Sequence, residues 1–168
     1  MSRKPILLSF VFSFRNEADV LPEFLKSLRG VLSVLRSNAL ITGWEFIFVD
    51  DSSTDQSLAT LIENDRNYKD IKIITMSRTF GVSVCVMAGL KHTKGEAVIY
   101  MDCDLQDPPE LIPRMLAAWQ EAENIDVVHT VRKRRHGESP LKLLVTRLGY
   151  YILNRYSSVQ IPREEGDF

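Results

Sequence analysis

From Ile6 to Phe14 the chain is apolar except for Ser9 and Ser13. A run of strand length, rich in aromatic and aliphatic side chains and lacking a two-residue alternation, fits a strand covered on both faces. A sheet buried on both sides needs helices on both sides, so this segment restricts the chain to α/β architectures with this first strand near the centre. The same run, preceded by Arg3 and Lys4, superficially resembles a secretory leader. No small-residue cleavage site follows it, and Arg15, Asn16 and Glu17 interrupt it, which favours a buried first strand.

The segments that follow keep the alternation. Leu21, Phe24, Leu25, Leu28, Val31, Leu32 and Leu35 recur at helical spacing, with Pro22 where a helix start tolerates it. Trp44 to Val49 predicts a strand, Ser53 to Asn64 a helix, Ile71 to Thr75 a strand, Gly81 to His92 a helix and Ala97 to Met101 a strand. Asp107 and Glu110 form a capping-box pattern around Pro108 and Pro109, ahead of a helix with Leu111, Ile112, Met115 and Trp119 on its apolar face. Ile125 to Val131 predicts a fifth strand, and Pro140 to Tyr156 an amphipathic helix with Lys142, Arg147 and Arg155 among its polar residues. This βαβα order predicts a mostly parallel sheet with helices on both faces and ligands beyond the carboxyl ends of the strands. With 168 residues, 45% of them hydrophobic, one domain over 1–168 is expected.

Charge and cysteine usage exclude several functions. The formal charge of -1 argues against a general nucleic-acid binder. It conceals an asymmetry, since Arg132 to Phe168 holds eight Lys/Arg and four Asp/Glu, a segment suited to an anionic partner. Cys85 and Cys103 are the only two thiols and have no zinc-ligand spacing, so neither a disulfide framework nor a structural zinc is expected. No uncharged apolar run reaches the roughly 18 residues of a spanning helix.

The chemistry is concentrated where strands end. Asp102-Cys103-Asp104-Leu105-Gln106 follows the fourth strand, and two carboxylates so spaced offer hard oxygen ligands to Mg²⁺ or Mn²⁺ bound to a diphosphate. The Gln106 amide is a candidate third ligand. Asp50 and Asp51 follow the second strand and lead into Ser52-Ser53-Thr54-Asp55, where they can accept hydrogen bonds from a base or ribose, or form a turn and helix cap. At the end of the first strand, Ser13, Arg15, Asn16 and Glu17 bring polar groups to the same edge, although Asn16 or Glu17 also suits a helix start. Arg78-Thr79-Phe80-Gly81 is a plain turn or a phosphate-facing loop. Cys103 reads as a small filler of the strand end, and Asp107 as a cap.

Phe14-Arg15-Asn16-Glu17, Val49-Asp50-Asp51-Ser52-Ser53-Thr54-Asp55, Arg78-Thr79-Phe80-Gly81 and Met101-Asp102-Cys103-Asp104-Leu105-Gln106-Asp107-Pro108-Pro109 occur in the order found in family 2 glycosyltransferases. The chain most resembles their polyprenyl-phosphate branch, which includes dolichol-phosphate mannosyltransferases and bactoprenol glucosyltransferases. The resemblance implies a GT-A fold, a nucleoside-diphosphate sugar donor with UDP-glucose favoured, a polyprenyl-phosphate acceptor, and inversion at the anomeric centre. It assigns Ser13, Arg15, Glu17, Asp50, Asp51 and Asp102 to the nucleotide, and Asp102, Asp104 and Gln106 to Mg²⁺ or Mn²⁺. Arg132 and Arg135 match its acceptor-phosphate motif, and Asp167 its acidic catalytic position near the acceptor. Residues 138–160 become a candidate membrane-interface helix at the cytoplasmic face, against the plainer reading of a solvated basic loop and a core helix.

Ser13, Arg15, Ser52 and Thr79 depart from the Pro, aromatic residue, Gly and Asn common in that family, and this bears on nucleobase preference and loop shape. The stop at Phe168 suggests that more protein belongs after it. Two other classes compete: a catalytically inactive nucleotide-sugar-binding module, and a receiver-like signalling domain. The second expects its acidic pair after the first strand, whereas Asp50-Asp51 follows a complete strand-helix unit.

Overall fold

The computed structural model describes residues 4–121, 124–130 and 155. The chain divides into two compact units, Met1–Ile125 and Asp126–Phe168. In the first unit the elements run β1 (Ile6–Phe14), α1 (Leu21–Ser37), β2 (Ile41–Asp50), α2 (Ser57–Tyr68), β3 (Ile71–Thr75), α3 (Val82–Leu90), β4 (Ala97–Tyr100), a 3₁₀ turn (Pro109–Leu111) and α4 (Ile112–Glu121). The four strands form one sheet in the order β3-β2-β1-β4. Every pairing is parallel, and β1 is interior as its apolar run requires.

Alternation along the strands separates two cores. Phe10, Phe12 and Phe14 of β1, with Phe46 and Phe48 of β2, join the larger cluster with α1, Leu61 of α2, and Ile112 and Leu116 of α4. Its centre is aromatic: Phe12 lies 4.5 Å from Phe48 and meets Phe24 of α1 edge-on at 5.2 Å. Val11, Ile47 and Val49 point the other way and pack with Cys85 of α3. A Cβ added to Gly89 would lie 2.5 Å from Val11 Cγ1, so α3 approaches the sheet only because that residue has no side chain.

The serine interrupting the middle of β1 is fully buried and satisfied. Ser9 Oγ donates to Glu45 Oε1 at 2.6 Å and accepts the Gly95 N–H at 2.8 Å, while Glu45 Oε1 also accepts the Lys94 N–H at 2.6 Å. One buried hydroxyl therefore fastens the α3–β4 connection to the centre of the sheet.

Several boundaries differ from the sequence expectation. The second helix begins at Ser57, not Ser53, because Asp50 Oδ1 takes the Ser53 N–H at 2.8 Å and Asp55 Oδ1 takes the Ser57 N–H at 3.0 Å, holding 52–56 as a turn. The cap position of the Pro109–Leu111 turn falls on Pro108, one residue after Asp107, and Pro108 makes no side-chain cap bond. Residues 125–130 of the fifth predicted strand have no regular structure, and Val131 lies outside the described residues. β-branched content there predicts a strand, but a strand exists only where a neighbour supplies hydrogen bonds. The Pro140 to Tyr156 helix also lies outside the described residues apart from Arg155.

Candidate nucleotide and metal site

Parallel register brings the ends of β1, β2 and β3 level, with β4 ending three residues earlier, opposite Val11. Phe14 pairs with Asp50, Asp50 with Thr75, and Val11 with Tyr100. Arg15 to Glu17, Asp51 to Ser53, Met76 to Gly81 and Met101 to Gln106 all leave the sheet on its carboxyl edge, where the sequence places the chemistry. The Asp51 N–H donates to Phe14 C=O at 2.9 Å and the Met76 N–H to Asp50 C=O at 2.9 Å, so the ladder continues one step into the loops.

Asp50 and Asp51 have different duties because successive residues face opposite sides of the sheet. Asp50 follows Phe46 and Phe48 on the larger core's side, is buried, and closes the turn to Ser53. Asp51 follows Ile47 and Val49 toward α3, where its two oxygens accept the N–H groups of Phe80, at 2.7 Å, and Gly81, at 3.0 Å. Burial alone would raise the Asp51 pKa. The two backbone donors, the Cys85 side chain and the Arg15 charge outweigh it and hold the carboxyl below its usual range. Both aspartates thus serve the turn-and-cap role that the sequence left open beside nucleotide contact.

A second polar seam, not foreseen from the sequence, joins the loop after β1 to the loop after β2. Asn16, at φ 59°, donates its N–H to Ser53 Oγ at 3.0 Å and accepts the Thr54 N–H on its carboxamide at 2.8 Å. The Glu17 N–H donates to Ser57 Oγ at 2.7 Å and the Ala18 N–H to Asp55 Oδ2 at 3.1 Å. The Ser57 hydroxyl leads the effects holding the Asp55 carboxyl below its usual range. Asn16 and Glu17 do not cap α1, whose N-cap is Val20. The signal was the density of short Ser, Thr, Asn and Asp side chains, which capture backbone groups.

This seam holds Glu17 facing the acidic residues after β4. Burial first, then the negative charges of Asp104, Asp55 and Asp102, push the Glu17 carboxyl above its usual range. Asp102 accepts the Tyr100 hydroxyl at 3.1 Å, and Asp104 Oδ1 accepts the Gln106 N–H at 3.0 Å around Leu105, at φ 64°. Cys103 between them is buried, and desolvation leads the effects that raise its thiol to about 12, so it is no nucleophile at neutral pH. Ser13 sits on the α3 side and engages the Cys85 thiol, while Arg15 is exposed. Arg78 stacks on Phe80, its guanidinium 4.0 Å from the ring centre.

Among the described residues, no group of three or more His, Cys, Asp or Glu side chains is arranged to hold a metal. The proposed set of Asp102, Asp104 and Gln106 has only two carboxylates. Its chemistry nevertheless fits a hard divalent cation, since Mg²⁺ commonly takes one or two carboxylates and draws its other oxygens from phosphates and water. Arg132, Arg135 and Asp167 lie outside the described residues.

An open parallel α/β sheet with acidic loops beyond its carboxyl edge places the chain among the doubly wound folds that bind ligands at that edge. Residues 9–167 match the Glycosyl transferase family 2 domain, and the chain belongs to that family. It is 38% identical over 163 residues to an uncharacterised glycosyltransferase of Synechocystis, covering 97% of this chain and 49% of that protein. It is 37% identical over 155 residues to undecaprenyl-phosphate 4-deoxy-4-formamido-L-arabinose transferase of Pseudomonas fluorescens, covering 90% of this chain and 43% of that one. Among solved structures, the Pyrobaculum calidifontis mannosyltransferase in complex with GDP-Man and Mn²⁺ superposes with a TM-score of 0.61 at 18% identity, over 89% of this chain and 39% of the other. The fold is therefore of the GT-A type. The chain spans about half the length of these curated relatives.

Proposed function

We propose that this chain forms the donor-binding part of an inverting glycosyltransferase that moves a sugar from a nucleoside-diphosphate sugar to a polyprenyl phosphate. The carrying observation is the parallel register that brings the loops after β1, β2 and β4, with Glu17, Asp50, Asp51, Asp102 and Asp104, to one edge of the sheet. The undecaprenyl-phosphate transferase among the relatives supports the lipid-phosphate acceptor, and the GDP-Man and Mn²⁺ complex of a structural neighbour supports a sugar nucleotide with a divalent metal. UDP-glucose remains the favoured donor by resemblance to the bacterial branch.

In this reading Asp102, Asp104 and Gln106 hold Mg²⁺ or Mn²⁺, which when bound neutralises the diphosphate leaving group. Ser13, Arg15, Glu17 and the Asp50–Asp51 turn line the nucleoside side of the crevice, the two aspartates by shaping its walls. An acceptor phosphate oxygen attacks the anomeric carbon on the face opposite the diphosphate, and the carbon–oxygen bond to the diphosphate breaks. A lipid monophosphate, with a second pKa near about 6, is already an anionic nucleophile at neutral pH. Asp167 then orients the acceptor or sugar without removing a proton, and Arg132 and Arg135 bind the acceptor phosphate. The basic 138–160 segment rests on the cytoplasmic face of the membrane. Among the described residues no helix is long and apolar enough to cross a bilayer.

The test is a panel of UDP- and GDP-sugars with Mn²⁺ or Mg²⁺ and short polyprenyl phosphate, with products detected by mass and their anomeric configuration read by NMR. Lipid-linked sugar of inverted configuration is expected from this chain or a longer version of it. Nucleotide-sugar binding without turnover in both lengths would replace the transferase reading with that of a binding module. Replacing Arg132 and Arg135 with Ala should weaken acceptor binding while sparing donor affinity.

A further inference from the structure

The edge of the sheet opposite the crevice holds a groove of about 630 Å³ that nothing above employs. Its walls are the amino-terminal ends of β2 and β3 with the chain connections around them. Four cationic side chains from four parts of the fold line it: Arg36 from the last turn of α1, Lys69 at the C-cap of α2, Lys72 in β3 and Lys94 in the α3–β4 connection.

Two acids, Glu45 and Asp70, line the same groove, and each is held by hydrogen bonds to groups other than the four cationic side chains. Asp70 accepts Arg29 Nη2 at 2.6 Å, Arg29 Nε at 3.0 Å and Trp44 Nε1 at 3.0 Å. Glu45 Oε1 accepts Ser9 Oγ and the Lys94 N–H, both at 2.6 Å. Among the described residues the ion pairs are Lys26–Glu23 and Arg29–Asp70, and neither includes a groove cation. Lys72 Nζ lies 3.3 Å from His92 Nδ1, which is not a carboxylate. Four positive groups thus share one concavity with two carboxylates, and among the described residues none of the four is ion-paired with either.

Lys69 adds a backbone observation. It stands at φ 55° and ψ 35°, the left-handed C-cap position that glycine or asparagine usually fills. At this strained position the chain carries a long cationic side chain lining the groove.

The geometry points to a second binding site, for a small phosphate-bearing anion, formed by Arg36, Lys69, Lys72 and Lys94 at the amino-terminal edge of the sheet. A multivalent anion relieves the repulsion among the four cations and gives each a charge-assisted hydrogen bond. A concave groove on the edge remote from the crevice suits a free solute better than a lipid headgroup held in a flat bilayer. The inference is independent of the proposed transferase activity.

The test titrates the full chain with inorganic pyrophosphate by calorimetry in EDTA, so that metal-dependent binding at the crevice is silent. Saturable binding is expected, weakened at least about tenfold by Lys69→Gly combined with Lys94→Ala. It should be unchanged by Asp104→Asn. Lys69→Gly suits the left-handed cap, so loss of binding cannot come from a broken helix end, and thermal unfolding of the variant checks this directly. Absence of saturable binding, an isotherm unaltered by the lysine substitutions, or binding abolished by Asp104→Asn overturns the site. Capture by phosphatidic acid vesicles but not phosphatidylcholine vesicles that is lost in Lys69→Gly with Lys94→Ala, yet undiminished by pyrophosphate in the unaltered chain, also overturns it in favour of a lipid surface.

Discussion

Asp51 and Gly81 are joined across 30 residues of chain: the Gly81 N–H donates to Asp51 Oδ2 at 3.0 Å while Oδ1 takes the neighbouring Phe80 N–H at 2.7 Å. Gly81, at φ 89°, is the N-cap of α3 and has no capping side chain of its own, so Asp51 provides that service from the next strand. Asp51→Asn keeps the shape but turns an NH₂ group toward one of two N–H donors. A loss of about 1–3 kcal/mol is expected in urea unfolding at neutral pH. The lowered pKa fixes the sign of the pH dependence. This stabilisation is complete above the unfolded carboxyl value of about 3.9 and disappears as pH falls through the folded value, so wild type and variant should converge in acid. Equal stability at pH 7 would remove Asp51 from this role.

Glu17 gives the opposite sign. Its raised pKa means that ionisation is disfavoured in the fold, first by burial and then by Asp104, Asp55 and Asp102. Glu17→Gln should raise the melting temperature in metal-free buffer at neutral pH. The gain should be absent below the unfolded value of about 4.3 and grow as pH rises to the folded value. A variant melting below wild type at pH 7 would show that the Glu17 charge is better compensated than these neighbours imply.

Glycine substitutions separate close approach from open space. A Cβ at Gly95 would lie 2.6 Å from Leu7 C=O and 2.7 Å from the Ser9 nitrogen, both fixed backbone of the central strand. Gly95→Ala should cost at least the roughly 1–3 kcal/mol of ordinary overpacking. At Gly43 the nearest atom is Leu7 Cδ1 at 3.8 Å, an ordinary contact, so Gly43→Ala should be neutral or stabilising by up to about 1 kcal/mol. Equal effects in paired denaturation curves would contradict the packing of the α3–β4 connection against β1.

The fold was legible where burial dictates composition. Ile6–Phe14 announced a strand covered on both sides, and the helical spacing from Leu21 to Leu35 marked the buried face of α1. Residues 125–130 were misread because an apolar, β-branched stretch reports its affinity for a sheet but not whether a partner edge is there. In the site, the acidic residues could be found because they terminate strands, but not their duties. Whether Asp51 meets a ligand or Phe80 and Gly81 depends on which loop faces it, and no local pattern near Asp51 encodes a partner 30 residues away. The seam from Asn16 to Ser57 was obscured for the same reason.

Asp104 carries a charge that its own turn does not require. Its Oδ1 accepts the Gln106 N–H at 3.0 Å, a bond that an asparagine oxygen can also accept, so Asp104→Asn removes charge while preserving the turn. The folded core should be intact, because Asp104 is outside both hydrophobic clusters. Nucleotide binding that depends on Mn²⁺ should weaken by more than about tenfold, since a hard divalent cation held by few protein oxygens depends strongly on each carboxylate. Tyr100→Phe is the matched comparison. It removes the hydroxyl 3.1 Å from Asp102 Oδ1 but no charge, and should weaken the same binding less. Calorimetry of UDP and GDP with and without Mn²⁺, beside thermal unfolding of each variant, separates a lost ligand from a damaged fold. If Asp104→Asn retains full Mn²⁺-dependent affinity, the metal is held elsewhere, and the assignment of Asp102, Asp104 and Gln106 must be abandoned.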